Sequence, residues 1–188
     1  MKTRFIPLST LLALASPLLL VSGAAAGKPK STGPTLPAVG KPAPGFSLPS
    51  TTGQDVSLEQ FKGKTVVLYF YPKDETPGCT KEACDFRDRN TELEKAGVVV
   101  LGVSNDDLKS HKHFKEKESL PFPLLADVDA KVSKRYGVYG TRKYGDKEYT
   151  GIQRTTFVIG KDGRIARVWP EVKVNGHVEE VLKFVSGS

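Results

Sequence analysis

Two cysteines, Cys79 and Cys84, are the only thiols in the chain, and they stand five residues apart in YFYPKDETPGCTKEACDFRD, Tyr69 to Asp88. Thiols this close can form a disulfide, bind a metal or act as a nucleophile with a partner. A thioredoxin-like oxidoreductase would carry C-x-x-C, and here four residues intervene. A metal site needs three or four ligands. His111, His113 and His177 are the only histidines, lie far along the chain and show no paired spacing. Two readings remain: a structural staple, or a redox pair.

The element that carries the cysteines bears on the choice. A helix is expected from Pro77 to Ala96, ended by Gly97. Thr76 is a favourable N-cap and Pro77 a favourable first residue. Cys79 is then the third helical residue, where unpaired backbone N–H groups and the helix dipole favour a reactive thiolate. Cys79, Ala83, Phe86, Asn90 and Leu93 share one face, which should pack on a sheet. Cys84 falls about 140° away, beside Asp85, Asp88 and Glu92, on the wet side. Residues five apart on an ideal helix have Cα atoms about 8–9 Å apart, and a disulfide rarely spans more than about 7 Å. The pair cannot close while the helix is intact. A staple that breaks its own helix, around a loop too short to remove much chain entropy, is a poor staple. The geometry favours a switch.

The surrounding pattern supplies a frame for that helix. TVVLYFY (Thr65 to Tyr71) and VVVLGV (Val98 to Val103) read as strands buried on both faces. A small hairpin is expected at FSL-TTGQD-VSL. A helix fits Asp107 to Glu118, a strand Phe122 to Leu125 and a short helix Ala130 to Tyr136. A polar loop or hairpin covers Gly140 to Gly151. TTFVIG-KDG-RIARVW (Thr155 to Trp169) reads as a hairpin, and Val178 to Val185 as a closing helix. This order implies an α/β fold, a thioredoxin-like three-layer α/β/α sandwich with a mixed central sheet.

The ends and the charge limit the setting. Residues 1–26 have the build of a secretory signal peptide: Lys2 and Arg4, an apolar centre, then Ala24-Ala25-Ala26. The alternative is an uncleaved anchor, since Phe5 to Ala26 carries no charge. Either arrangement places the domain outside the cytoplasm, in the periplasm or an equivalent space. Residues 27–38 read as a flexible Pro- and Lys-rich tether, and 39–188 as the domain. The net charge is +7, two units of it from Lys2 and Arg4. The remaining basic residues alternate with acids, as in KSHKHFKEKE (Lys109 to Glu118), which is the composition of a solvated helix face and not of a nucleic-acid surface. His111 and His113 fall on that helix and read as solvated.

PKDETPGC resembles the peroxiredoxin active-site loop Pro-x-x-x-Thr-x-x-Cys, with Pro72, Thr76 and Cys79 in its three key places. The YFYPK lead-in and the C-T-x-E-A-C continuation are similar to the bacterioferritin comigratory protein, or peroxiredoxin Q, group. GKPAPGFSLPSTTGQ resembles the group's opening, and GIQRTTFVIGKDGRI the segment bearing its arginine, here Arg154. The resemblance implies a thiol-dependent peroxidase acting on hydrogen peroxide and organic hydroperoxides. Cys79 would be the peroxidatic cysteine, with Arg154 holding the thiolate and polarising the peroxide, Thr76 placing its hydroxyl against the peroxide and Pro72 shielding the pocket from water. Cys84 would be the resolving cysteine, and a thioredoxin-like protein or small thiol would reduce the disulfide. The resemblance implies no metal, haem or flavin, and a pair that closes within one chain implies a monomer. An export signal departs from the group's usual cytosolic setting and leaves the reductant open. The competing functions are a binding protein with a structural disulfide and a disulfide-exchange protein or chaperone on the same fold.

Overall fold

The structure is a computed structural model, and it describes residues 1–2, 35–144 and 147–187. Apart from Met1 and Lys2, the expected signal peptide lies outside the described residues, as does the tether up to residue 34. In chain order the strands are β1 (Ser47–Leu48), β2 (Val56–Ser57), β3 (Thr65–Phe70), β4 (Val98–Ser104), β5 (Leu124–Ala126), β6 (Tyr139–Tyr144), β7 (Lys147–Ile152), β8 (Thr155–Ile159) and β9 (Ile165–Trp169). The helices are α1 (Pro77–Asp88), α2 (Asn90–Lys95), α3 (Leu108–Lys117), α4 (Lys131–Arg135) and α5 (His177–Ser186).

The central sheet has the order β5-β4-β3-β8-β9. β3 runs parallel to β4, and β4 to β5, because helical crossovers connect them. β8 runs antiparallel to β3 and to β9, which the short Lys161-Asp162-Gly163 turn joins to it. The sheet is therefore mixed, as expected. β1 pairs with β2, and β6 with β7, in two separate hairpins.

The period-two alternation of β3 sorts the core into two layers. Val67 and Tyr69, with Tyr71 just beyond the strand, face α1, α2, α3 and α5 through Ala83, Phe86, Leu93, Phe114, Val178 and Val181. Val66, Leu68 and Phe70 face the other way, onto Phe46, Leu48, Val132, Tyr136 and Ile152. Burying each large apolar side chain contributes about 1.5–3 kcal/mol. β3 thus anchors the loop that follows it, from Pro72 to Thr76. Leu36 also rests against the second layer, and the Thr35 carbonyl lies over Gly137. Packing on the domain therefore begins ahead of the expected end of the tether.

The long helix expected from Pro77 to Ala96 is two helices. Arg89 leaves helical geometry at φ −102° and ψ 3°, which separates α1 from α2. The expected face survives the break: Cys79, Ala83, Phe86, Asn90 and Leu93 are all buried. The strand expected at Phe122 to Leu125 forms at β5, shifted toward the C-terminus. Gly140 to Gly151 falls within the β6–β7 hairpin.

Candidate active site

Thr76 is the N-cap of α1, with extended backbone at φ −77° and ψ 146°, and Pro77 occupies the first turn. The Thr76 side chain does not cap the helix. Its hydroxyl donates to the Lys73 carbonyl at 3.1 Å, which tightens the loop instead. The first helical bond runs from the Thr80 N–H to the Thr76 carbonyl, at 2.8 Å. Cys79 stands within this first turn, and its side chain is buried against the sheet.

Arg154 comes from the other side of the site, just ahead of β8. Its carbonyl accepts the Val172 N–H at 3.0 Å, which fixes its backbone. Its Nη2 donates to Cys79 Sγ at 3.1 Å. Burial pulls the Arg154 pKa down, but Glu82 and Cys79 together hold it above the usual arginine value. A permanent positive charge is thus aimed at the sulfur. Gly78 makes room for it: a Cβ on that residue would sit 3.3 Å from Arg154 Nη2.

Sequence reasoning assigned no role to Glu82. This carboxylate lies three residues after Cys79 on the packed face of α1, fully buried, and it accepts a bond from Arg154 Nη1. Arg154 is therefore held as a fork, one arm on Glu82 and the other on the thiol. Burial pushes the Glu82 carboxyl up to about 7, against the opposing effect of Arg154. Its Oε1 is buried with no hydrogen-bond partner, which is consistent with that shift. The available signal was an acid at i+3 from Cys79, on a face that must pack.

Pro72 is half-buried in the loop after β3. Together with Tyr149, Ile152, Gln153, Arg154, Glu171 and Val172 it lines a cleft of about 290 Å³. Arg154 belongs both to this cleft and to the bond with Cys79, so it joins an open mouth to the buried sulfur. Arg154 contacts Cys79 and lines one cleft with Pro72, and Thr76 sits at the start of the helix that carries Cys79.

Cys84 also lies on α1, and both thiols are free. It is less open to solvent than the wet-face expectation held. The C-terminal end of α3 covers it, and Sγ donates to Glu118 Oε2 at 3.5 Å. Burial, with the Glu118 carboxylate adding to it, pushes the Cys84 thiol up. The two cysteines therefore differ in their hydrogen-bond partners: Cys79 accepts from a guanidinium and Cys84 donates to a carboxylate, while Arg87 partly offsets the upward push on Cys84.

His111 overturns a second expectation. It is not solvated but fully buried, with Nδ1 2.8 Å from Asp74 Oδ2. His113 does lie on the wet side. His177 is buried near Phe86, and burial pulls it down to about 4.

A buried thiol in the first turn of a helix, paired with a forked arginine and followed on the same helix by a second thiol, defines a thiol-based redox enzyme on a thioredoxin-like fold. The chain matches the AhpC/TSA family over residues 39–168 and belongs to that family. It is 57% identical over 144 residues to a putative peroxiredoxin bcp of Coxiella burnetii, covering 77% of this chain and 95% of the relative. It is 48% identical to peroxiredoxin Bcp of Bacillus subtilis, covering 77% of this chain and 92% of the relative. Among solved structures, it is similar to the bacterioferritin comigratory protein of Xanthomonas campestris, described for its alkyl peroxide reduction activity. The TM-score is 0.72 at 37% identity, over 76% of this chain and 90% of that one. Within the family the chain is a thiol peroxidase of the bacterioferritin comigratory protein and peroxiredoxin Q group.

Proposed function

We propose that Cys79 is the attacking thiol and Cys84 the resolving thiol of a two-cysteine cycle closed within one chain. The observation that carries this reading is the 3.1 Å bond from Arg154 Nη2 to Cys79 Sγ. The Cys79 thiolate attacks the terminal oxygen of a hydroperoxide and the O–O bond breaks. The sulfur is oxidised to a sulfenic acid, and the alkoxide or hydroxide takes a proton and leaves as alcohol or water. Arg154 stabilises negative charge first on sulfur and then on the leaving oxygen. Thr76 and Pro72 shape the approach, and the cleft beside Arg154 offers space for the organic part of a hydroperoxide.

Resolution forms the S–S bond between Cys79 and Cys84 and expels the sulfenic oxygen as water. Two electrons from an external dithiol then restore the thiols. The signal-peptide pattern of residues 1–26 supports an extracytoplasmic location, without stable membrane association after cleavage. In that setting the reductant is an exported thioredoxin-like protein or a small thiol. Because both thiols lie in one chain, the cycle needs no partner subunit, and the protein is read as a monomer.

The test is to mix reduced protein with one equivalent of hydrogen peroxide and to count free thiols with time. Rapid loss of both thiols is the expected result. Thiols that persist would favour a binding protein, and exchange with disulfides but not with peroxide would favour a disulfide-exchange protein.

A further inference from the structure

Asp74, in the loop ahead of α1, is the centre of a buried polar network that the peroxide chemistry does not use. Its Oδ1 accepts from the Tyr71 hydroxyl at 2.7 Å. Its Oδ2 accepts from the Ser110 hydroxyl at 2.7 Å and faces His111 Nδ1 at 2.8 Å. Its backbone N–H donates to Asp106 Oδ2 at 2.9 Å, and the Ser104 hydroxyl donates to the same oxygen. The other ring nitrogen of His111, Nε2, faces the Leu125 carbonyl of β5 at 3.1 Å.

The partners of the two ring nitrogens constrain where the ring carries protons. A carbonyl oxygen only accepts, so Nε2 must carry a proton. Burial raises the Asp74 carboxyl, but His111 and the hydrogen bonds donated by the Ser110 and Tyr71 hydroxyls outweigh it and hold it below the usual carboxylate range. With an ionised Asp74 as acceptor, Nδ1 would carry a proton as well, and the contact between His111 and Asp74 would be a buried ion pair between α3 and the active-site loop.

Breaking one side of a buried ion pair is far costlier than breaking a surface one. The outer contacts of the same loop are of the weaker kind: Glu75 pairs with Lys117 at 2.6 Å and with His113 at 3.7 Å, all partly exposed. Asp74 is therefore pinned and Glu75 is not. Glu75 also holds a left-handed backbone at φ 57°, a conformation that costs energy for a residue other than glycine. At the far end of the movable stretch α3 grips again, where Arg87 Nη1 donates to the Glu118 carbonyl at 2.8 Å. One helix thus holds the chain at Asp74 and at Arg87, and the two cysteines lie between these points.

We propose that His111 is a positioning residue that, protonated on both ring nitrogens, pins Asp74 and so fixes the upstream end of the segment that unwinds when Cys79 moves to Cys84. The proposal rests on the two-thiol cycle given above. Unwinding starts after Asp74, so Thr76 and Cys79 return to the same place once the disulfide is reduced.

Two measurements test it. In the dithiol protein at neutral pH, nitrogen NMR should show a proton on each ring nitrogen of His111. One bare nitrogen would overturn the proposal, and this measurement does not depend on peroxide chemistry. The second measurement uses the disulfide form, prepared with oxidised dithiothreitol. The Asp74 amide should exchange there as slowly as in the dithiol form, with fast exchange beginning only beyond Glu75. An Asp74 amide that becomes fast in the wild-type disulfide form would contradict the clamp. In Asp74→Asn the side chain keeps its shape but loses its charge, and fast exchange should spread back through Asp74 while disulfide closure speeds up several-fold. Should that variant fail to fold, the two wild-type measurements still decide. The one-equivalent peroxide assay decides the two-thiol cycle separately.

Discussion

Cys79 and Glu82 stand one helical turn apart on the buried face of α1 and hold the two arms of the same guanidinium, that of Arg154. The arginine is thereby fixed in a plane by two bonds before any peroxide arrives. Such preorganisation matters because a long, charged side chain otherwise has many rotamers to lose when it meets a transition state.

Replacing Arg154 by Met removes the positive partner of the sulfur and keeps most of the side-chain volume. A hydrogen bond to a charged group is worth about 1.5–3 kcal/mol, so peroxide attack should slow by about 10- to 150-fold. Stopped-flow oxidation of the reduced variant checks this. A rate within a factor of about two of wild type would mean that Arg154 only decorates the rim.

Gly78→Ala tests the same arrangement from the other side. The new Cβ would meet Arg154 Nη2 at 3.3 Å, and the guanidinium, pinned at both arms, must give by a few tenths of an ångström. Displacements of about 1 Å cost up to about 100-fold in a positioned site. A several-fold loss in attack rate is expected, with thermal stability little changed.

Two buried groups should give opposite pH dependences of stability. The Glu82 carboxyl has a folded pKa of about 7, raised from 4.5 by burial, so the folded state keeps a proton that the unfolded chain has lost. Its contribution is present below pH 4.5 and is lost as pH rises to 7. His177 is depressed to about 4 from 6.5 by burial, so its contribution is lost as pH falls from 6.5 to 4. Each spans about 3 kcal/mol at about 1.4 kcal/mol per pKa unit. Relative to wild type, Glu82→Gln should gain stability as pH rises through this window, and His177→Asn should gain it as pH falls. Urea titrations across the window test the signs; variant curves that parallel wild type would contradict both.

How much of this was legible depends on the range of each interaction. Cys79 and Cys84 were marked by residue type and spacing and Thr76 as a helix N-cap, Pro72 and Arg154 only by the resemblance to the peroxiredoxin motifs, and the two buried strands by their unbroken β-branched and aromatic runs. The partner that each polar group chose was not legible. Glu82 is separated from Arg154, and His111 from Asp74, by intervening elements that bring them together only in three dimensions. His111 lies in a highly charged run, and nothing local distinguished it from His113. The break at Arg89 was also hidden, because the apolar spacing continues through it.

Disulfide formation requires α1 to open, since it is continuous from Pro77 to Asp88 and contains both thiols. Amide exchange from Thr80 to Phe86 should be much faster in the disulfide form than in the dithiol form. β3 and β4 should stay protected in both, because they are central and buried. Equal protection of Thr80 to Phe86 in the two forms would contradict an opening helix.

The division of labour between the thiols is tested most directly by single-turnover oxidation of two serine variants, followed by intact-mass measurement. Cys84→Ser should react with one equivalent of hydrogen peroxide as fast as wild type and gain one oxygen, trapped as a sulfenic acid at Cys79. Cys79→Ser should gain none on the same timescale. A Cys79→Ser protein that reacts as fast as Cys84→Ser would contradict the assignment of Cys79 as the attacking thiol.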